Sequence, residues 1–356
     1  MKKSYILALS FLFLLPIGLC AEPRVLLLDL GGLFYKFSAF SYTQELGLGN
    51  IISYAIRDFK NPKGLEKIIF GMLQAIPEDE IRQHSDDFDQ TVWYKKLRAQ
   101  QSAEKIEAPH ITPTRTTSGK ELPYLISAYQ AGHISDKAAM ALAYKKLEEF
   151  KAQGYGQGHF LASDREAYLV AEAIRLIFTP EVNAAMNSEL RDGVKLLQEL
   201  ASQNHEDGTK KFVLAALSNA DKRAAHVLEV RFKKSIFSKF QHLFYSGDLG
   251  TIKPNDEAYT LVFEALNELP EFREQPLTLD DIVFMDDQPE NVLAAKRVGI
   301  QNAILYKNAE QAREELVKLG VLAPKVETPS SITLTNSLVA GGVVLSGAYF
   351  AYQYCN

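Results

Sequence analysis

Short apolar runs along this chain end in groups that could do chemistry. Arg24-Val25-Leu26-Leu27-Leu28 leads straight into a carboxylate, Asp29, followed after Leu30 by Gly31-Gly32. Phe212 to Leu217 ends in Ser218-Asn219, Leu243-Phe244-Tyr245 runs into Ser246 and on to Lys253, and Ile282 to Met285 ends in Asp286-Asp287. Taken singly, each has a plainer reading. Asp29 is the kind of residue that caps a helix or turn, Ser218-Asn219 could cap the next helix, Lys253-Pro254 could precede a helix that opens near a proline, and Asp286-Asp287 with Asn291 could cap the helix near Pro289. Taken together they supply a carboxylate nucleophile, a hydroxyl donor, a fixed cation and a pair of carboxylates. Phosphoryl transfer through an aspartyl phosphate needs that set, the paired carboxylates being hard oxygen ligands for Mg²⁺.

Such groups converge only if the elements that carry them share one sheet. The apolar runs, with Ala303-Ile304-Leu305-Tyr306 as a fifth, read as buried strands, and helical patterns at Asp256 to Leu269 and Pro289 to Val298 separate them. Alternating short strands and helices predict an α/β fold with a doubly wound parallel sheet, whose strand ends meet in one crevice. Leu190, Val194, Leu197 and Leu200 place a helix over Leu190 to Gln203, before a polar turn at Asn204 to Thr209. From Phe34 to about Asn204 the pattern is mainly helical, as in Gly64 to Ile76, Ser135 to Gln153 and Asp164 to Phe178. Glu107 to Gly119, polar and holding two prolines, is expected to be a mobile cap loop or a disordered insert.

A chain of 356 residues, 47% of them hydrophobic, can bury one large core or two smaller ones. The net charge of -5 and the lack of a long basic run argue against nucleic acid as a partner. Cys20 and Cys355, the two cysteines, lie in terminal apolar segments, so the body has no disulfide, thiol chemistry or zinc thiolate. Lys2 and Lys3, the apolar stretch Tyr5 to Leu19 and the small residues near Cys20-Ala21 read as a signal peptide over 1–21. Residues 326–356 form a hydrophobic tail without charge from Thr328 onward, and Leu334 to Tyr352 has the length of a thin membrane span. Gly342 and Ser346 in it are spaced for close helix packing; the competing reading is a tail docked on a partner or on the cap. The expectation is an exported protein, periplasmic or held at a membrane by 334–352.

The order hhhDhGG, hhhSN, Ser246-x-x-x-Gly250-x-x-Lys253-Pro254 with Ala258-Tyr259 behind it, then hhhhDDxxxN with Ala294-Ala295 and Gly299, resembles the haloacid dehalogenase (HAD) superfamily. The motifs are individually weak and jointly specific, and they cover about Arg24 to Leu33 and Leu190 to Asn308. The resemblance implies a HAD-like Rossmannoid core (22–33 and 187–325) interrupted by a large helical cap (34–186). It implies Asp29 as nucleophile and Mg²⁺ ligand, the Gly31 carbonyl, Asp286 and Asp287 as further ligands, Ser218 and Lys253 holding the phosphate, Asn219 and Gly32 lining the substrate site, and Asn291 supporting the loop. The implied partner is a small phosphorylated substrate.

One departure bears on activity. Phosphatases of this superfamily usually carry a second aspartate two residues after the nucleophile, as general acid and base, and here that place is Gly31. Such a loss typically slows a reaction about 10²- to 10⁴-fold. Esters whose leaving oxygen needs little protonation are therefore the expected substrates. The alternative, favoured by Gly31 and the oversized cap, is a catalytically weak HAD-fold protein whose cap binds a partner or ligand. A metal-free dehalogenase fits less well, since Gly31-Gly32-Leu33 does not match the start of those enzymes. His159, among the glycines of Gly154 to His159, and Arg115 are candidate cap groups that could reach the site; the plainer readings, a helix-connecting turn and a solvated arginine, are the favoured ones.

Overall fold

The computed structural model describes residues 24–37, 62–101, 106–115 and 120–325. The expected signal peptide and hydrophobic tail lie outside them, and no described helix is long and apolar enough to cross a membrane. Strands β1 (Val25–Leu28), β4 (Val213–Ser218), β5 (His242–Tyr245), β6 (Ile282–Asp286) and β7 (Asn302–Leu305) form a five-stranded sheet in the order β5-β4-β1-β6-β7. All its pairings are parallel, with Leu28 opposite Ala216 on one side and Met285 on the other. The two short strands β2 (Tyr35–Phe37) and β3 (Asn187–Glu189) pair separately and antiparallel.

Side chains alternate across a strand, and here the alternation feeds two cores. Leu26 and Leu28 of β1 join Leu214, Ala216, Val283 and Met285 on one face, with Leu197 and Leu200 of the Arg191–Ala201 helix. Val25 and Leu27 join Ala215, Leu217, Ile282 and Phe284 on the other, with Tyr259 and Val262 of the Asp256–Asn267 helix and Ala294 and Ala295 of the Pro289–Arg297 helix. Each fully buried Leu contributes about 1.5–3 kcal/mol of transfer free energy, so the central strand is fixed from both sides. β1 is thus held rigidly up to the residue before Asp29.

Residues between β2 and β3 fold around a core of their own. The helices Pro62–Gln74, Tyr124–Gln130, Asp136–Ala152 and Asp164–Phe178 share Phe70, Leu73, Leu125, Leu142, Val170 and Phe178. Two of them begin at serine caps: the Ser135 and Ser163 hydroxyls accept from the Ala138 and Glu166 N–H groups. The expected mobile or disordered segment is corrected over its described part. Ile111 is fully buried beside Ile252, the Thr112 N–H donates to Asn255 Oδ1 at 2.9 Å, and the Leu122 N–H donates to the Thr114 carbonyl. Its two prolines remove only two backbone donors, and its apolar residues Ala108 and Ile111 enter small buried clusters.

The helical part is fastened to the loop between β5 and Lys253. The Ser246 hydroxyl donates to the Gln130 carbonyl at 2.6 Å and accepts from the Ala220 N–H at 2.9 Å. His133, buried and stacked edgewise on Phe88, lies with Nε2 2.6 Å from the Gly250 carbonyl. Burial pushes its pKa down to about 4, with the Gly250 bond opposing, so the ring is neutral and Nε2–H donates. Gly132, at φ +68°, lies so close that a Cβ there would sit 2.2 Å from the Gly247 carbonyl oxygen.

Candidate active site

Asp29 follows β1, Ser218 ends β4, Asp286 ends β6, and Lys253 stands on the loop after β5, so the carboxyl ends of adjacent parallel strands bring them together. Lys253 is 1% exposed and donates from Nζ to Asp29 Oδ1 and to Asp286 Oδ2, each at 2.6 Å. Asp286, fully buried, also accepts from the Gln288 N–H at 2.8 Å and from Asn291 Nδ2 at 3.0 and 3.1 Å. Its carboxylate is thereby held by donors on three sides. Tyr259 OH donates to the Asn291 carbonyl at 2.8 Å and fixes the start of that helix.

The plainer cap readings do not hold for these residues. The Lys222–Arg231 helix is capped by Asp221, whose carboxylate accepts from the Arg223 and Ala224 N–H groups, leaving Ser218 and Asn219 to the site. Asn219 accepts from the Lys253 N–H and donates to the Lys253 carbonyl, both at 2.8 Å. It lines the cavity, and its amide places Lys253. Gly32, expected to line the substrate site, does not line the cavity. At φ +70° it lies beneath Asp287, where a Cβ would stand 2.2 Å from Oδ2. Only a residue without a Cβ allows that approach.

Asp29, Asp286 and Asp287 offer one carboxylate oxygen each within 4.8 Å of one another. Burial pushes the Asp29 carboxyl up to about 6; Lys253 opposes the rise and Asp286 adds to it. Burial, then Asp286 and Asp29, push Asp287 up to about 8. Burial would depress Lys253, but Asp286 and Asp29 outweigh it and its pKa rises. One ammonium does not balance three crowded carboxylates. The uncompensated charge and the hard oxygens fit a small divalent cation such as Mg²⁺.

That imbalance fixes a sign for stability. Both raised carboxyls bind protons more tightly folded than unfolded, so their contribution is fully present below pH 4 and is lost as pH rises toward 8. Mg²⁺ at about 100 times its dissociation constant stabilises by ~2.7 kcal/mol, roughly 4–5 °C in melting temperature. The increment over EDTA should grow from pH 5 to pH 8, as the protons that compete with the ion depart. Scanning calorimetry at several pH values checks this, and an increment that shrinks with pH would exclude joint binding by the three carboxylates.

Above Asp29 lies a cavity of about 110 Å³. Asp29, Gly31, Ser218, Asn219, Lys253 and Asn291 form its floor, and Tyr129, Gln130, Thr114, Leu122 and Ile177 from the helical part close it. His159 and Arg115 do not reach it. The loop folds His159 back onto Gly154, leaving it exposed, and Arg115 lies 3.6 Å from Glu121 at the surface. Tyr129, Gln130, Asn187 and Asp221 were not legible as lining residues: Tyr129 and Gln130 end a helix, Asn187 starts a short strand, and Asp221 carries only a cap signal. A larger cleft of about 420 Å³, between Gln198 and Gln241, contains none of the carboxylates and no paired acid and base.

No family model and no curated protein matches the chain. Among solved structures it is similar to a HAD-family enzyme from Bacteroides thetaiotaomicron, at 14% identity and a TM-score of 0.38 over 82% of this chain and 98% of that one. A magnesium complex of that enzyme gives 13% and 0.39 over 81% and 94%. The L-2-haloacid dehalogenase from Xanthobacter autotrophicus with chloropropionic acid covalently bound gives 15% and 0.37 over 85% of each chain. Likeness at these scores carries no argument about chemistry, which rests on the chain's own residues.

Proposed function

We propose that this chain is a Mg²⁺-dependent phosphohydrolase of the HAD type, acting on a small phosphate ester through an aspartyl phosphate at Asp29. The observation that carries the reading is Lys253 bridging Asp29 and Asp286 at 2.6 Å, at a cavity that Asp29 and Ser218 line, with an Asp287 oxygen within 4.8 Å of the other two carboxylates. Asp29, Asp286, Asp287 and the Gly31 carbonyl are the groups that would hold Mg²⁺, which when bound supplies positive charge against the phosphoryl oxygens. A carboxylate oxygen of Asp29 bonds to phosphorus as the ester P–O bond breaks, and the leaving oxygen departs with the electron pair. Ser218 and Lys253 donate to the phosphoryl oxygens and restrain the charge that builds there. Water then attacks phosphorus, the bond to Asp29 breaks, and inorganic phosphate leaves.

Gly31 provides no proton to the leaving oxygen and takes none from the attacking water, so solvent serves both. Phenols tolerate this and simple alcohols do not. Initial rates with Mg²⁺ should therefore be about 10²-fold or more higher on p-nitrophenyl phosphate than on glycerol phosphate, with both lost in EDTA. Equal rates would mean that another residue does the work of the missing acid. No turnover of either ester would move the reading to a binding protein built around the cap.

A further inference from the structure

The cleft of about 420 Å³ lies at the opposite end of the sheet from Asp29. Its floor is the start of β4, where Leu214 comes four residues, roughly 13 Å of strand, before Ser218. One wall is the end of the Arg191–Ala201 helix with Lys210 beyond the turn, and the other is the short helix Phe237–Lys239 with Phe240 and Gln241. Gln241 clamps the floor: its N–H donates to the Leu214 carbonyl at 2.9 Å, and its Oε1 accepts from the Leu214 N–H at 2.8 Å. The cleft is thus built on fixed backbone, and its volume falls within the roughly 300–1,000 Å³ of small-molecule sites.

Two kinds of residue line it. Leu200, Phe212, Leu214 and Phe240 are apolar, and the first three belong to the core that also holds Leu26 and Leu28. Lys210 and Lys239 carry charge, and no carboxylate lines the cleft among the described residues. The Lys210 ammonium lies 2.6 Å from the carbonyl of Ala201, itself a lining residue, and that bond leaves two of its three N–H donors. Lys239, half-buried, has no side-chain hydrogen bond or ion pair among the described residues. In a chain of net charge -5, two cations unanswered by a lining carboxylate attract an anion, and the apolar floor between the walls takes up the body attached to it.

We propose that this cleft is a second ligand site, separate from the strand-end carboxylates, for a small organic anion whose charged group meets Lys210 and Lys239 and whose apolar, ring-sized body rests on Phe212, Leu214 and Phe240. The inference does not depend on the phosphohydrolase reading, because Asp29, Ser218, Lys253 and Asp286 take no part in the cleft. Both halves of the ligand are needed. Charge alone gains little from surface cations in salt, and an uncharged body leaves the lysines unanswered.

The test is calorimetry on the full chain with three probes: naphthoate, its neutral counterpart naphthamide, and inorganic sulfate. Naphthoate should bind with a dissociation constant of about 1 mM or tighter, at least about ten-fold tighter than either of the others. Lys239→Met and Lys210→Met should each weaken it about three- to ten-fold, and Lys239→Arg should restore it. Both lysines reach the surface, so the variants test the contact and not the fold. The same titration with Mg²⁺ and inorganic phosphate added should leave naphthoate binding unchanged. Naphthamide binding as tightly as naphthoate, binding unmoved by both methionine variants, or a constant weaker than about 1 mM would overturn the inference. Displacement of naphthoate by Mg²⁺ with phosphate would also overturn it, by placing the probe at the strand ends.

Discussion

Asp29→Asn should lower phosphate-ester hydrolysis by about 10⁴-fold or more while leaving the protein folded. An amide is isosteric with the carboxylate but has no charge to form the bond to phosphorus, and loss of a nucleophile typically removes most of an enzyme's rate. The fold should tolerate the change because Asp29 lies beyond the end of β1, whose packing uses Val25 to Leu28. Asp29 is also a crowded acid, pushed up by burial to about 6, so the neutral amide removes part of the repulsion in the metal-free state. Steady-state rates with circular dichroism on the same sample decide it. A variant that keeps a tenth of the rate would place the nucleophile elsewhere.

Replacing Lys253 should strike activity and stability together. Its ammonium is the buried donor shared by Asp29 and Asp286, and removing one partner of a buried ion pair costs about 3–5 kcal/mol because the charge left behind is unanswered. Lys253→Met should therefore lower the melting temperature at pH 8 by roughly 4–9 °C and the rate by about 10²- to 10³-fold. The stability loss should be smaller at pH 5, where protons can neutralise the abandoned carboxylates, and should shrink on adding Mg²⁺. Melting curves at both pH values check this. A loss independent of pH would assign Lys253 to packing instead.

The strands and the groups at their ends were legible in the sequence, because β1, β4 and β6 are buried on both faces and read as unbroken apolar runs. Asp29, Ser218 and Asp286 followed from their places at the ends of such runs, and Lys253 from the order of the motifs. The residues that close the cavity did not follow. Tyr129 and Gln130 sit at the end of a helix whose inward turn depends on Ser246, 116 residues away from Gln130 in the chain, and no local pattern records such a contact. The pairing of β2 with β3 was missed for the same reason, as it joins three-residue strands separated by the whole helical part. For His159 and Arg115 the plainer readings hold, a turn folded back on Gly154 and a surface arginine beside Glu121.

The seam between the helices and the Lys253 loop bears on how separable the two parts of this protein are. Gln130, His133 and Thr112 hold Ser246, Gly250 and Asn255, on the same loop that presents the lysine. A helical part so fastened belongs to the frame on which Lys253 stands. Cutting it away would leave a core with the right residues and an unsupported lysine, and grafting in a foreign cap would import a new loop geometry along with a new specificity. In this chain the helical part and the strand-end groups hold together as one piece.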